Sequence, residues 1–299
     1  MPPTVGWIGC GVMGKSMVKN LLRGGYSVGL YSRTRSAAQS LIDLGAGWFS
    51  SPMALAMEHE IIISMVGYPA DVEMVYLGEK GVFSTSPDAL RCHTAIDMTT
   101  STPSLAVQLA DAAAGLGIEV LDAPVSGGDV GAREGTLSIM VGGDQVALDR
   151  VSPIFQVLGK PAILQGGHGA GQHTKMVNQT IIASTMIGIC EGLVYARQSG
   201  LDPSRVLESV SGGAAGSWSL THLAPRILEG DFDPGFYVEH FVKDLEIALA
   251  ECDRMGIELR GLGLARQLYQ EVVQSGGARL GTQALHGAIE KLARVGRAS

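Results

Sequence analysis

The chain has 299 residues, of which 46% are hydrophobic and 17% are charged, and its formal net charge is −7. This length suits one large or two ordinary domains with a complete hydrophobic core, and the negative charge argues against a nucleic-acid-binding surface. No apolar run of about 18 residues is free of polar interruptions, and the N-terminus has no basic, signal-like stretch, so we expect a cytoplasmic protein that does not bind membranes.

The cysteines and histidines give no sign of a metal site. The four cysteines form no CxxC pair, and neither residue type has the spacing of zinc ligands. We therefore predict no metal, and reduced, mostly buried cysteines at positions Cys10, Cys92, Cys190 and Cys252.

The chain opens with a predicted βαβ unit. Residues 4–8 are a short apolar run suited to a buried strand, residues 15–23 have helical spacing, and residues 26–31 suit a second strand. The first turn has the GxGxxG spacing of a dinucleotide-binding loop, in which backbone N–H groups meet the cofactor pyrophosphate. A purely structural turn is the alternative. The expected cofactor-binding residues of this turn are Gly9, Gly11, Val12, Met13 and Gly14.

The residues after the second predicted strand bear on the choice of cofactor. NAD enzymes usually carry an Asp or Glu there for the ribose hydroxyls, whereas this chain has Ser32, Arg33 and Thr34. An arginine flanked by hydroxyls suits a 2′-phosphate, so the sequence favours NADP, with NAD as the alternative. In the competing interpretations, Arg33 is a surface charge or stacks on the adenine.

Strands and helices then alternate up to about residue 165. Met65 and Val66 end an apolar strand over residues 60–66 and should line the cofactor crevice. Thr100 follows a strand over residues 95–98, and its hydroxyl suits a ligand contact or a helix cap equally well. Further strands are predicted at 46–49, 119–123, 137–142 and 161–164, and helices at 37–44, 52–57, 71–77, 103–114 and 144–154.

A glycine-rich stretch after the strand over residues 119–123 is a candidate anion site. Ser126, Gly127 and Gly128 offer a hydroxyl and exposed backbone N–H groups, which suit a carboxylate. An ordinary mobile loop is the alternative.

A second glycine-rich stretch leads into a long apolar helix, predicted from residue 174 to about 197. Lys175, Asn178 and Gln179 stand at i, i+3 and i+4, so they share one helix face. They lie where an alternating half of the chain meets a helical half, which is a usual place for a ligand site. A solvated lysine in the first turn of a helix is the commoner case.

The remaining sequence is predicted to be helical, with helices at 241–255, 262–275 and 281–295. Lys243 and Asp244 fit an exposed charge pair on the first of these. The predicted fold is an α/β Rossmann dinucleotide-binding domain (1–165) followed by an all-α domain (166–299), joined by a long interdomain helix.

Four sequence blocks in this order resemble the β-hydroxyacid dehydrogenase family. They are residues 9–14, residues 122–128 with the following Gly-Ala-x-x-Gly-Thr-Leu, residues 169–178, and residues 230–245. The family includes 3-hydroxyisobutyrate dehydrogenase, tartronate semialdehyde reductase and glyoxylate/succinic semialdehyde reductases, and is related to 6-phosphogluconate dehydrogenase. The resemblance covers nearly the whole chain.

The resemblance implies specific roles. Lys175 would be the general acid/base, Ser126 with Gly127 and Gly128 would hold the substrate carboxylate, and Thr100 would contact the cofactor. Lys243 would reach the nicotinamide or the substrate. An amide of Asn178 or Gln179 would orient the lysine or the substrate, although many family members have asparagine where this chain has Gln179.

The resulting prediction is an NADP-preferring oxidoreductase that interconverts a small 3-hydroxy acid (or a 2- or 4-hydroxy acid) and its semialdehyde. The alternative is an NAD-dependent 3-hydroxyisobutyrate dehydrogenase; an imine reductase, a family that usually lacks the lysine, and a non-catalytic dinucleotide-binding protein are more remote. The expected partners are a small carboxylate-bearing substrate and a second copy of the chain. The helix over residues 176–194 is too apolar for one small domain to cover, which predicts an oligomer, with burial in the core of a large domain as the alternative. The family resemblance implies a homodimer or a homotetramer.

Overall fold

The structure, a computed structural model, describes residues 2–295. Its contacts divide the chain into two compact units, Met1–Lys175 and Met176–Ser299. The domain limits expected from the sequence, 1–165 and 166–299, stay a prediction.

The described part of the first unit contains one sheet of nine strands. Its strands are β1 (Val5–Ile8), β2 (Val28–Tyr31), β3 (Gly47–Trp48), β4 (Ile61–Ser64), β5 (Thr94–Asp97), β6 (Glu119–Asp122), β7 (Val125–Ser126), β8 (Leu137–Gly142) and β9 (Gly159–Gly166). The order is β3-β2-β1-β4-β5-β6-β8-β7, with β9 beside β8. The pairs from β3 to β6 are parallel, and β8 runs antiparallel to β6 and β7. In such a sheet the connections change direction between β1 and β4, and ligands bind at the carboxyl ends of the strands there.

Helices cover the sheet, and the central parallel strands β1, β2, β4, β5 and β6 are buried on both faces because of them. The helices of this unit are α1 (Val12–Arg23), α2 (Gln39–Ile42), α3 (Pro52–Glu58), α4 (Pro69–Leu77), α5 (Pro103–Ala114), α6 (Gly128–Glu134) and α7 (Gln145–Leu158). One apolar cluster includes Trp7, Leu21 and Phe155, and a second includes Leu55 and Ile62. Each such buried side chain stabilises the fold by about 1.5–3 kcal/mol.

Two differences from the predicted elements lie close to the predicted site residues. Residues 128–134, for which the sequence left open an ordinary loop, form α6, which begins after Gly127 (φ +130°) and ends at Gly135 (φ +68°). The four glycines within residues 127–135 disfavour a helix on propensity alone, so α6 could not be predicted from local sequence. The long helix α8 (Ala170–Gln198) begins four residues earlier than predicted, for a reason that lies outside the helix and is described below.

In the described residues of the second unit, the regular elements are all helices, and strand-like pairing is limited to one isolated bridge between Tyr237 and Gly281. After α8 come α9 (Pro203–Val210), α10 (Trp218–His222), α11 (Ala224–Glu229), α12 (Val238–Met255), α13 (Arg260–Val272) and α14 (Leu285–Val295). Met186 and Cys190 of α8 pack with Phe241, Leu245 and Tyr269 in the core of this unit.

Helix α8 is long and apolar enough, by length and composition alone, to cross a bilayer, with a mean hydropathy of 1.3 over its best 18 residues. The core helix of a globular unit meets the same test. The buried face of α8 belongs to the core of the second unit, which accounts for the apolar residues on that face.

Candidate active site

The glycine-rich turn between β1 and α1 has three glycines with three different surroundings. Gly9 has φ +104°, and a Cβ there would overlap the Met65 carbonyl oxygen. A Cβ on Gly14 would overlap the Gly9 carbonyl oxygen and approach Trp7 Nε1 to 3.1 Å, so this glycine lets helix and strand pack closely. A Cβ on Gly11 would have no atom within 4 Å. The open space therefore lies at Gly11.

The first turn of α1 is prepared for an anion. Gly11 is the N-cap residue, the helix has no side-chain cap, and its first turn contains no acidic residue. The first N–H groups of a helix have no partner within the helix, and the helix dipole favours negative charge there. Val12 is half exposed, whereas Met13 packs against the core.

The ends of β1, β4 and β5 bring the next predicted residues to this turn. Met65 N donates to Ile8 O at 2.9 Å, and Val66 N donates to Thr99 Oγ1 at 3.0 Å. Thr100 follows directly and is half-buried. Met65 and Val66 are thus beside the glycine-rich turn, and Thr100 follows the residue that bonds to Val66.

Arg33 lies after β2, next to β1, where the sequence expected it. Its guanidinium makes an ion pair with Asp71, with Nη1 at 2.8 Å from Oδ1, and the arginine side chain is 73% exposed. Asp71 is in the first turn of α4 and also accepts from Tyr68 N at 3.2 Å. Ser32 is half-buried before it, and Thr34 precedes a short 3-10 turn. A 2′-phosphate at Arg33 would therefore compete with a carboxylate that no local sequence signal indicated.

Lys175 is buried, with 6% of its surface exposed. Its Nζ donates to Val125 O at 2.8 Å. Val125 directly precedes Ser126, Gly127 and Gly128, so the lysine ammonium lies beside the predicted carboxylate site. The interpretation of Lys175 as a solvated surface charge is wrong.

The turn at Ser126 leads into the N-terminus of α6. Gly127 is the N-cap residue and no side chain caps the helix, which leaves backbone N–H groups for an anion. The carboxylate of Asp129 in the first turn would repel an anion. The Arg133 guanidinium offsets this negative charge, with its Nη1 at 3.5 Å from Asp129 Oδ2.

The start of α8 is capped by a carboxylate from a distant strand. Asp122, at the end of β6, accepts from Gly169 N at 2.8 Å and from Gln172 N at 2.9 Å. Burial raises the pKa of Asp122, and these two N–H groups lower it. The cap explains why α8 begins at Ala170 rather than at residue 174.

In the second unit, four polar residues form one chain of contacts. Asn178 Nδ2 donates to Gln179 Oε1 at 2.7 Å, and Gln179 Nε2 donates to Asp244 Oδ2 at 2.6 Å. Lys243 Nζ is 3.0 Å from Asp244 Oδ1, and the Asp244 side chain is fully buried. The interpretation of Lys243 and Asp244 as an exposed pair is therefore wrong.

Family models agree with this arrangement. One, described as the NAD binding domain of 6-phosphogluconate dehydrogenase, matches residues 4–174. Another, described as the NAD-binding domain of NADP-dependent 3-hydroxyisobutyrate dehydrogenase, matches residues 169–289. The chain belongs to the β-hydroxyacid dehydrogenase family. It is accordingly an NAD(P)-dependent oxidoreductase.

Individual members of the family align over nearly their full length with this dehydrogenase. It is 50% identical to the probable 3-hydroxyisobutyrate dehydrogenase-like 1, mitochondrial, of Arabidopsis thaliana, over 97% of this chain and 86% of that protein. It is 37% identical to the 2-hydroxy-3-oxopropionate reductase of Escherichia coli, over 97% and 98% of the two chains. A solved Mycobacterium tuberculosis 3-hydroxyisobutyrate dehydrogenase with L-serine is 28% identical, with a TM-score of 0.86 and coverage of 97% and 99%.

The first unit of the chain fits a nicotinamide dinucleotide. The space at Gly11, the uncapped first turn of α1 and the adjoining ends of β4 and β5 are the features that such a cofactor needs. Gly9 and Gly14 cannot carry a side chain, and Gly11 leaves room for the pyrophosphate.

Sequence reasoning missed the contacts of four residues that lie next to the predicted site residues or bind them. Asp122 and Gln172 are buried around the start of α8, Asp244 is buried beside Gln179, and Asp71 pairs with Arg33. The one available signal was that Gln172 precedes Lys175 by three positions and so shares its helix face. The pairings of Asp71 with Arg33, of Asp122 with Gly169 and of Asp244 with Gln179 span 38, 47 and 65 positions, which is too far to infer from local sequence.

Proposed function

We propose that this dehydrogenase interconverts a small hydroxy acid and its semialdehyde, with a preference for NADP and with Lys175 as general acid/base. The observation that carries the proposal is the bond from the buried Lys175 Nζ to Val125 O. It supports a proton donor next to Ser126, Gly127 and Gly128, which are suited to a carboxylate. A substrate that carries both an aldehyde and a carboxylate needs those two groups side by side.

The proposed reaction divides its tasks among these residues. Ser126 and the N–H groups of Gly127 and Gly128 hold the substrate carboxylate, because hydrogen bonds must position a molecule too small for apolar contacts. A nicotinamide held by the first unit would supply the hydride for reduction of the aldehyde carbon, or would accept it in oxidation of the alcohol carbon. In reduction, Lys175 as an ammonium gives its proton to the carbonyl oxygen and becomes an amine; in oxidation, the amine takes the hydroxyl proton.

The substrate class rests on the names of relatives. Proteins 37% and 32% identical to this chain are named 2-hydroxy-3-oxopropionate reductase and 3-hydroxyisobutyrate dehydrogenase. Both names describe small carboxylic acids with a hydroxyl group. We therefore propose a substrate of two to four carbons with a carboxylate near the reacting carbon.

The preference for NADP rests on Arg33, which carries a charge where NAD enzymes usually carry an acid. A specific observation favours the alternative, an NAD-dependent 3-hydroxyisobutyrate dehydrogenase: Asp71 already holds the Arg33 guanidinium. A cytoplasmic setting is part of the proposal. It is supported by four cysteines that are all buried and free, as is usual in a reducing compartment.

The test measures nicotinamide absorbance with NADPH and, separately, with NADH. The aldehydes are glyoxylate, succinic semialdehyde, tartronate semialdehyde and methylmalonate semialdehyde. We expect turnover that prefers NADPH, and a Lys175→Ala variant with kcat lowered by at least about 100-fold and an unchanged cofactor Kd. Undiminished turnover in that variant would contradict the role of Lys175, and a preference for NADH would move the assignment to the alternative.

A further inference from the structure

The first two turns of α8, together with the residue just before the helix, contact three different strand ends through residues spaced three apart. Gly169 N donates to Asp122 at the end of β6, and Lys175 Nζ donates to Val125 O of β7. Between them, the side chain of Gln172 reaches the segment after β5. Residues at i, i+3 and i+6 lie along one side of a helix, so this side is attached to the sheet at each turn.

Both the oxygen and the nitrogen of the Gln172 side-chain amide make hydrogen bonds. Its Oε1 accepts from Ser101 N at 2.9 Å, and its Nε2 donates to Thr99 O at 2.8 Å. The residue is fully buried, with 0% of its surface exposed. The amide thus binds the backbone on both sides of Thr100.

The segment that Gln172 holds is also bound from the sheet. Thr99 N donates to Asp97 Oδ1 at 3.1 Å, and Thr99 Oγ1 accepts from Val66 N at 3.0 Å. The backbone at Thr100 is therefore fixed between β4, β5 and α8. Gln172 is the contact that joins this backbone to the helix that carries Lys175.

We propose that Gln172 is a positioning residue, which sets the distance between the cofactor-side backbone at Thr100 and the ammonium of Lys175. The inference rests on the proposed function in that Lys175 transfers the proton. A proton transfer and a hydride transfer to the same carbonyl require both groups at defined positions, and a displacement of about 1 Å can lower a rate by about 100-fold.

Few side chains can replace this amide. Asparagine is one methylene shorter and cannot span the same two backbone groups from the same helix position. An ionised glutamate has no donor for Thr99 O, whereas a protonated glutamate has one. Methionine matches the length and volume of Gln172 but leaves Thr99 O and Ser101 N without their partner.

The kinetic experiment compares Gln172→Met with the matched control Tyr269→Phe. Tyr269 is fully buried and its hydroxyl donates to Thr282 O at 3.0 Å, so the control also loses a buried hydrogen bond. At a temperature where both variants are folded, we expect kcat to fall about 10- to 100-fold in Gln172→Met. Its cofactor KM should change less than about twofold, and the control should keep kcat within about twofold.

A pH profile separates positioning from a general loss of stability. In Gln172→Glu, protonation restores the donor to Thr99 O. The ratio of kcat in this variant to kcat in the wild type should therefore rise as the pH is lowered, whereas the ratio for Gln172→Met should stay level. Two level ratios would contradict the proposal.

A labelling experiment decides the proposal without any turnover. Each protein is treated with a limiting amount of acetic anhydride, and acetylation of Lys175 is measured by mass spectrometry relative to the other lysines. We expect at least about threefold faster labelling of Lys175 in Gln172→Met and no change in Tyr269→Phe, because the loosened helix exposes the amine. Should Gln172→Met fail to fold, Gln172→Glu above neutral pH takes its place.

The two proposals fail separately. If the wild type reduces none of the aldehydes, the proposed function fails, and the labelling ratio still supports or refutes the positioning of Lys175. Unchanged labelling in a folded Gln172 variant overturns the inference, whether or not the enzyme is active.

Discussion

At the scale of single residues, two carboxylates are buried at the ends of neighbouring strands, Asp97 at the end of β5 and Asp122 at the end of β6. Asp97 accepts from Ser64 Oγ at 2.7 Å and from Thr99 N at 3.1 Å, and burial raises its pKa to about 6 despite these bonds. Asp122 caps α8, and burial raises its pKa as well. Asp97 binds the backbone next to Thr100, and Asp122 binds the backbone at the start of the helix that carries Lys175.

Asp97 should make stability depend on pH. Its pKa is about 3.8 unperturbed and about 6 in the folded protein, so the folded state binds more protons in between. The stability it contributes is therefore complete below about pH 3.8 and is lost as the pH rises through 6. Asp97→Asn removes this dependence. We expect its unfolding free energy, relative to wild type, to rise by about 2–3 kcal/mol from the acid side to neutral pH.

Urea unfolding at a series of pH values measures this difference. The control is Asp43→Asn, because Asp43 is exposed and bonds only locally to Gln39; its curve should run parallel to that of the wild type. A parallel curve for Asp97→Asn would show that the carboxyl is not the origin of the pH dependence.

Arg33 and Asp71 together should set the cofactor preference. A charge-assisted bond to a phosphate contributes about 1.5–3 kcal/mol, so Arg33→Ala should raise the NADPH KM at least about tenfold and leave the NADH KM nearly unchanged. Asp71→Asn frees the guanidinium from an exposed ion pair worth at most about 1 kcal/mol. That variant should lower the NADPH KM by up to a few-fold.

The matched control for this pair is Arg35→Ala. Arg35 is two positions further on, and its guanidinium lies 5.8 Å from the centre of the Trp48 ring. Equal effects of the Arg33 and Arg35 variants on the NADPH KM would mean that general charge, rather than a phosphate contact at Arg33, governs the preference.

At the scale of elements, two glycines in the turn between β1 and α1 should have different roles. We expect Gly11 to serve cofactor binding and Gly14 to serve the packing of helix against strand. Gly11→Ala puts a methyl group into open space with a backbone that alanine adopts easily (φ −75°, ψ −168°), whereas Gly14→Ala forces it into the Gly9 carbonyl. We expect Gly11→Ala to keep the wild-type Tm but to weaken cofactor binding at least about tenfold, because the methyl occupies the pyrophosphate space.

Gly14→Ala should instead lower the stability by about 1–3 kcal/mol, since overpacking displaces helix or strand. Thermal unfolding and cofactor titration of both variants give the result. The assignment of the open space to the cofactor would be wrong if Gly11→Ala bound the dinucleotide as tightly as the wild type.

The two ends of helix α8 differ in how well neighbouring residues predict them. Its apolar spacing predicted the helix and its C-terminal end closely, but the start was placed at residue 174 because the preceding glycines disfavour helix. The cap that starts it at Ala170 is Asp122, which is 47 positions before Gly169. A cap at that separation exists only after β6 has taken its place in the sheet.

At the scale of the whole molecule, the outer face of α8 predicts self-association. Val177, Ile181 and Tyr195 are 60%, 62% and 74% exposed. An added Cβ at Gly188 or Gly192, which fall on the same side of the helix, would meet nothing within 4 Å. A long apolar face with room for close approach suits a second copy of the chain, as a homodimer or homotetramer.

Ile181→Glu should disrupt that association, because a charge cannot be buried in an apolar interface without a partner. Light scattering after size exclusion at micromolar concentration should give a smaller mass for this variant than for the wild type. Leu44→Glu, at an exposed leucine of the first unit, should leave the mass unchanged. A wild type that is monomeric under these conditions would refute the prediction.

The sequence by itself determined the Rossmann fold, the helical second half, the family, and the identity of the buried lysine as the residue to examine. These follow from glycine spacing, apolar periodicity and motif order, which act through backbone sterics and burial over short stretches. Only the tertiary structure decided which polar groups are held in place. The bonds from the Gln172 side chain to Thr99 and Ser101, and from Gln179 to Asp244, span 65 to 73 positions. The burial of these side chains depends on packing that no local pattern encodes.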